Sequence, residues 1–143
     1  MNDKENISGL IHHLSRHLLN SSNRKWADIG YPDIRTTHVS ILLRIETKEN
    51  NHNIVAKQLG ISRQAISKLN HELIENGYLA TGPTENNKKS VTLSLTKKGR
   101  HFLKDFKEAN KDLERALIKI LTKGRFHEFK AALLILDKYF KAE

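Results

Sequence analysis

Five polar or basic side chains recur on one side of a predicted helix that follows Ser62. On a helical projection Gln64, Ser67 and His71 lie opposite the apolar face, and Arg63 and Lys68 flank them. Amide, hydroxyl and guanidinium groups can hydrogen-bond base edges, and ammonium groups bind phosphates. The chemistry available to this face is recognition of duplex DNA, and the alternative is an ordinary solvated helix face.

Two short helices joined by a tight turn are predicted to carry this face. Val55, Ala56 and Leu59 recur at helical spacing in the first helix, and Gly60 can end it in a left-handed conformation. Ser62 is placed to cap the second helix. The apolar face of that helix comprises Ala65, Ile66, Leu69 and Leu73. Such a pair is typical of a helix-turn-helix, although similar pairs occur in all-α proteins that bind no nucleic acid.

A β-hairpin is predicted directly after this unit. Gly77 ends the helix, residues 78–81 form a short strand candidate, and the alternating segment VTLSL can pair with it. Gly82, Pro83 and two asparagines supply turn residues for a long basic tip, GPTENNKK. A hairpin behind a recognition helix is a wing.

Longer helices are expected on both sides of the winged unit. Residues proposed to cap them are Ser8, Thr36 or Thr37, and Thr96. A bend or break is predicted at residues 21–23, and Gly124 is expected to separate the last two helices. The first helix and the last two helices carry more apolar surface than a small winged helix needs, which predicts an interface with a second copy of the chain.

Composition limits the possible partners. The chain has 25 Lys and Arg against 16 Asp and Glu, a formal charge of +9. Excess positive charge favours nucleic acid as a partner, with an anionic membrane surface second. The absence of cysteine excludes disulfides and thiolate metal sites. No apolar run approaches the length of a membrane span, so a cytoplasmic protein is expected.

The order of these elements resembles that of the MarR family of transcription regulators. The matching blocks are VAKQLGISRQAISKLNHELIENGYL and LTKKG. The resemblance implies a mainly α fold with a small β-hairpin wing: one domain over 1–143, with a winged helix-turn-helix lobe at 36–96 and a helical dimerisation region at 7–30 and 97–141. It also implies a cytoplasmic homodimeric repressor of a pseudo-palindromic operator, with recognition helices about 34 Å apart.

Contact residues follow from the same resemblance. The expected DNA-binding residues are Ser62, Arg63, Gln64, Ser67, Lys68, His71, Asn87, Lys88 and Lys89. Family wings commonly carry Asp-x-Arg, whereas Asn87 and Lys89 stand at the matching positions here. Because Lys lacks the planar fork of Arg, we expect this wing to contact phosphate and to distinguish minor-groove sequences less well.

Release by a small anionic aromatic ligand is a further expectation from the family. Trp26, Tyr31, Arg35 and His38 fall near the junction of the first two helices and could hold an aromatic carboxylate. Core packing explains Trp26 equally well.

The sequence contains few of the residue patterns that metal sites and enzyme active sites require. His13 and His17 are one helical turn apart, but zinc needs three or four ligands, for which His38 and His101 would be candidates. We predict no metal, no cofactor and no enzyme activity, since no phosphate loop, HExxH or nucleophile elbow is present. The alternatives left open are a metal-responsive regulator and a winged-helix factor that works without sequence-specific DNA binding.

Overall fold

The computed structural model describes residues 6–48, 52–84 and 87–142, and the side chains of 52, 53, 83, 84 and 87–91 lie outside that description. Six helices and one hairpin follow the order α1, α2, α3, α4, β1, β2, α5, α6. The helices are α1 Ile7–Asp28, α2 Thr36–Glu46, α3 His52–Leu59, α4 Arg63–Glu75, α5 Lys97–Leu121 and α6 Lys123–Ala142. The strands β1 Leu79–Thr84 and β2 Asn87–Leu95 pair antiparallel. The predicted mainly α fold with a hairpin wing is confirmed.

The core lies where α1, α2, α4, α5 and the base of the hairpin meet. Phe102 of α5 is fully buried and contacts three other rings edge to face: Trp26 at 5.3 Å, Tyr31 at 5.0 Å and Tyr78 at 6.1 Å between centroids. Such pairs add about 0.5–1.5 kcal/mol each beyond the area that they bury. The ring cluster therefore fixes α5 against the winged lobe.

Two of the expected helix caps are wrong. Asn6, and not Ser8, caps α1, because its side-chain oxygen accepts the Gly9 amide at 2.8 Å. Arg35 is the N-cap of α2, so neither Thr36 nor Thr37 has that role; the Arg35 amide donates instead to His38 Nδ1 at 3.1 Å. The side chain of His38, in the first turn of α2, thus reaches back to the backbone of the N-cap residue.

Three boundaries of helices or strands also differ from the prediction. Helix α1 runs through residues 21–23 without interruption. The break between α5 and α6 falls at Thr122, with φ 74°, and Gly124 already lies inside α6. Gly82 and Pro83 belong to β1, with a register irregularity between Pro83 and Thr84, so the hairpin is longer and its tip shorter than predicted.

Candidate nucleic-acid interface

A single exposed stripe runs along α4. Gln64, Ser67, Lys68 and His71 are all exposed, and their spacing of three, four and seven residues places them on one face of the helix. The opposite face is buried: Ile66 and Leu73 are each 1% exposed. Because one side of α4 is committed to the core, the stripe is presented to the outside at a fixed angle.

The turn before α4 is fixed by backbone hydrogen bonds. Gly60 has φ +66°; its amide donates to the Lys57 carbonyl at 3.2 Å, and the Ile61 amide donates to the Ala56 carbonyl at 3.0 Å. This paired pattern is a Schellman motif, which favours glycine at the left-handed position. The Ser62 hydroxyl then accepts the Ala65 amide at 3.1 Å, confirming the predicted cap. Arg63, the first residue of α4, is exposed beside it.

His71 differs from the other stripe residues in having an acidic neighbour. Its Nε2 lies 3.1 Å from Glu75 Oε1, one turn later on α4, and both side chains are well exposed. An exposed pair at this spacing contributes only a few tenths of a kcal/mol, about 0.3–0.5. His71 can therefore leave Glu75 at little cost when a stronger acceptor is offered.

The wing is attached firmly at its base. The Thr96 hydroxyl accepts the Gly99 amide at 3.1 Å and donates to the Gly77 carbonyl at 2.5 Å, so it joins α5 to the end of α4. Lys98 Nζ donates to the Asn76 carbonyl at 2.8 Å and lies 4.3 Å from the centre of the Tyr78 ring. These contacts place the hairpin next to α4.

The three predicted wing contacts lie at the start of β2. Asn87 pairs with Thr84 next to the hairpin tip, followed by Lys88 and Lys89. Their side chains lie outside the described part of the structure. The backbone therefore locates these residues at the far end of the wing, and their contacts with DNA stay a prediction.

A polar cluster of Arg35, His38 and Glu72 lies next to the stripe, and His38 is its buried member. His38 is 2% exposed, and its Nε2 lies 2.8 Å from Glu72 Oε2 on α4. Arg35 Nη2 also binds Glu72 Oε2 at 2.8 Å. Since His38 Nδ1 accepts the Arg35 amide, its Nε2 carries the proton in the neutral ring and donates to Glu72.

The pKa values of His38 and Glu72 are both lowered, for different reasons. Desolvation lowers the pKa of His38 below its usual 6.5, an effect that the bond to Glu72 opposes and the charge of Arg35 reinforces. The hydrogen bond from His38 lowers the pKa of Glu72. Near neutral pH the cluster is thus a neutral imidazole beside an ionised carboxylate. Nothing in the sequence spacing of Glu72 and His38 indicated this contact.

The four residues predicted to bind an aromatic ligand are occupied by contacts within the protein. Trp26 is 3% exposed and packs on Phe102. The Tyr31 hydroxyl donates to Asp105 Oδ2 at 2.6 Å, and burial together with this bond raises the pKa of Tyr31 to about 12. Arg35 and His38 both bind Glu72. A ligand at this place would have to displace these contacts, and its binding there stays a prediction.

An open cleft of about 340 Å³ lies elsewhere, between α3 and α6. Its lining residues are Ile54, Lys57, Gln58, Asp137, Phe140 and Lys141. Within it Lys141 Nζ binds Asp137 Oδ2 at 2.6 Å. The cleft combines apolar and aromatic surface with two ammonium groups.

Within residues 6–48, 52–84 and 87–142, no group of three or more histidine and acidic side chains could hold a metal ion. His13, His17 and His101 are exposed, whereas His38 is buried against Glu72. Among the same residues no helix has both the length and the hydropathy that crossing a bilayer requires.

The architecture and its exposed recognition helix define a winged helix-turn-helix protein. Streptococcus pneumoniae FabT, solved in complex with DNA, superposes with a TM-score of 0.79 over 95% of this chain and 96% of its own, at 18% identity. A MarR/EmrR family transcriptional regulator from Acinetobacter sp. ADP1 gives a TM-score of 0.77 over 100% of both chains, at 16% identity. The chain therefore has the fold of the MarR/EmrR family, which confirms the resemblance seen in the sequence.

Sequence similarity is weaker than structural similarity. The transcriptional repressor MprA of Escherichia coli K12 is 28% identical over 103 residues, which cover 69% of this chain and 56% of MprA. The chain thus spans about half the length of the curated relatives it matches. No protein-family model matches the sequence.

Proposed function

We propose that this protein is a sequence-specific DNA-binding transcriptional regulator that acts as a repressor. The observation that carries the proposal is the exposed stripe of α4, held at a fixed angle beside a wing. FabT, which shares the fold, is solved bound to DNA, and MprA is named a transcriptional repressor. The net charge of +9 favours a polyanionic partner.

The stripe divides into two chemical roles. Gln64 can donate to and accept from adenine in the major groove, and Ser67, one turn further, can bond several base edges. Lys68 and the basic tip of the wing bind phosphate, as Arg63 does when it does not reach guanine. The exposed Ser62 lies at the entrance of α4, where backbone amides also favour a phosphate oxygen.

A second copy of the chain completes the proposed function. The side chains of Ile7, Leu10 and Ile11 on α1 are 71%, 50% and 58% exposed, and those of Ile135 and Leu136 on α6 are 70% and 50% exposed. Apolar surface of this extent is costly in water and is covered at low cost by an identical surface. Residues 7–30 and 97–141 would then form the dimerisation region, and residues 36–96 the DNA-binding lobe.

A ligand would act by favouring one separation of the two recognition helices. Such a ligand shifts the dimer only by its difference in affinity for the two arrangements. The cleft between α3 and α6 is the proposed site for an anionic aromatic compound, because Phe140 offers a ring face and the two lysines of the lining outnumber Asp137, which pairs with Lys141. It also touches both the DNA-binding lobe and the dimerisation region.

The ligand can be tested with benzoate as a probe. We expect benzoate to release bound duplex from the wild-type protein and to do so at clearly higher concentration from Phe140→Ala. Equal release from both proteins would exclude the cleft as the ligand-binding site and would favour the predicted site at Trp26 and Tyr31.

A matched pair of substitutions on α4 tests DNA recognition. Gln64→Ala should reduce discrimination between operator and scrambled duplex by about 1–3 kcal/mol, because a base contact is lost. Lys68→Ala should weaken binding to both duplexes alike and flatten the salt dependence, because a phosphate contact is lost. Competition binding at two salt concentrations measures both effects.

The opposite outcome favours the alternative function. If Gln64→Ala leaves discrimination unchanged while Lys68→Ala weakens all binding, the face binds DNA without distinguishing sequences. The Asn87 and Lys89 wing is the feature that would suit such an architectural factor.

A further inference from the structure

His38 connects the start of α2 to the middle of α4. Its Nδ1 accepts the Arg35 amide at 3.1 Å, which caps α2, and its Nε2 bonds Glu72 Oε2 at 2.8 Å. The ring is 2% exposed, so solvent is a poor substitute for either partner. Glu72 lies on α4 one residue after the exposed His71 of the stripe. An imidazole in the first turn of α2 is thus hydrogen-bonded to the helix that carries the stripe.

Only one protonation state of His38 satisfies both partners. The neutral ring with its proton on Nε2 accepts at Nδ1 and donates at Nε2. A proton added to Nδ1 would face the Arg35 N–H. The Arg35 amide would then have lost its acceptor, and α2 would have lost the contact that caps it.

Charged groups from three segments influence whether the His38 ring is protonated. Glu72 on α4 favours the imidazolium, and so does Asp33 in the connection between α1 and α2. Arg35, at the start of α2, disfavours it, and burial disfavours it most. Arg35 also binds the same Glu72 oxygen as His38, so rearrangement of the Arg35 backbone would disturb both bonds to α4.

We propose that His38 is a positioning residue of the recognition helix, whose neutral imidazole holds α2 and α4 together, and that its protonation weakens DNA binding. This inference rests on the proposed function, in which α4 enters the major groove. The group that titrates does not contact DNA; it acts through Glu72.

The direction of the pH dependence follows from the pKa shifts. Because the pKa of His38 is lowered in the folded chain, the stability that the neutral ring contributes is complete above 6.5 and declines as pH falls below that value toward the lowered one. The pKa of Glu72 is also lowered, so its contribution is lost only at more acidic pH, below 4.5. The pH range in which His38 affects stability therefore lies between 6.5 and its lowered native pKa.

The test compares DNA binding by wild-type protein, His38→Gln and His101→Gln between pH 7.5 and 5. Glutamine keeps an N–H donor for Glu72 and does not titrate; His101 is an exposed control on α5. We expect the wild-type dissociation constant to rise by about tenfold per pH unit below the native pKa of His38. His101→Gln should show the same rise and His38→Gln should lack it. His71 is unchanged in all three proteins, so any effect that it has cancels in the comparison.

A second measurement serves if His38→Gln does not fold and also separates this inference from the proposed function. Imidazole NMR of the wild-type protein should show His38 with its proton on Nε2 and with a pKa below 6.5, and amide exchange in α4 should accelerate as His38 gains a proton. A proton on Nδ1, unchanged exchange, or an equal pH slope in His38→Gln would overturn the inference. A wild-type protein that binds no DNA at any pH would refute the proposed function, and the NMR and exchange results would still decide the role of His38.

Discussion

Gly99 is the residue on which the attachment of the wing most directly depends. It is buried in the first turn of α5, and its amide donates to the Thr96 hydroxyl. A Cβ atom added at this position would overlap the carbonyl oxygen of Tyr78 and lie 3.3 Å from Leu95 Cδ2. The absence of a side chain allows α5 to approach the end of α4 and the base of β1.

Gly99→Ala should destabilise the fold by about 1–3 kcal/mol, the usual cost of overpacking, because the backbone at Tyr78 cannot simply rotate away. Gly124→Ala is the matched control: Gly124 also lies in the first turn of a helix, and an added Cβ there meets no atom within 4 Å. Urea unfolding of the two variants measures the difference. Equal midpoints would show that α5 can move away from Tyr78 without loss.

The sequence predicted the caps of α4 and α5 correctly and those of α1 and α2 incorrectly. Ser62 and Thr96 cap α4 and α5 by binding an amide three residues on, a contact within the same short segment. Ser8 and Thr36 have suitable side chains as well, yet Asn6 and His38 provide the caps. His38 does so because Glu72, distant in sequence, fixes its ring, and that contact has no sequence pattern.

At the scale of elements, periodicity predicted all six helices and the hairpin, whereas their ends were less accurate. The polar residues 21–23 lower helix propensity only slightly, and α1 continues through them toward buried Trp26. Gly82 and Pro83 are typical turn residues, but pairing with Thr92 and Val91 extends β1 past them. Tertiary contacts thus overrode weak local preferences.

The prediction of functional residues was likewise limited by contacts between residues distant in sequence. Helical spacing was enough to place Gln64, Ser67, Lys68 and His71 on one exposed face, since this needs only the period of α4. It could not show that Trp26, Tyr31 and His38 are occupied within the protein, because their partners lie in α5 and α4.

Over the whole molecule, polar and apolar surfaces are separated. The α4 stripe is polar and basic, whereas α1 and α6 expose large aliphatic side chains. A dimer through the apolar region would place two stripes on one side, and the proposed operator would then have two half-sites about 34 Å apart. The proposed activity is therefore a property of two chains acting together.

The most direct test of this account is binding of the purified protein to the DNA upstream of its own gene and to a scrambled duplex, measured at several salt concentrations. We expect tighter binding to the native duplex, two chains per site, and a preference that persists near physiological salt, since base contacts do not depend on counterion release. Equal affinity for both duplexes, falling steeply and identically with salt, would contradict sequence-specific regulation and leave only a basic surface.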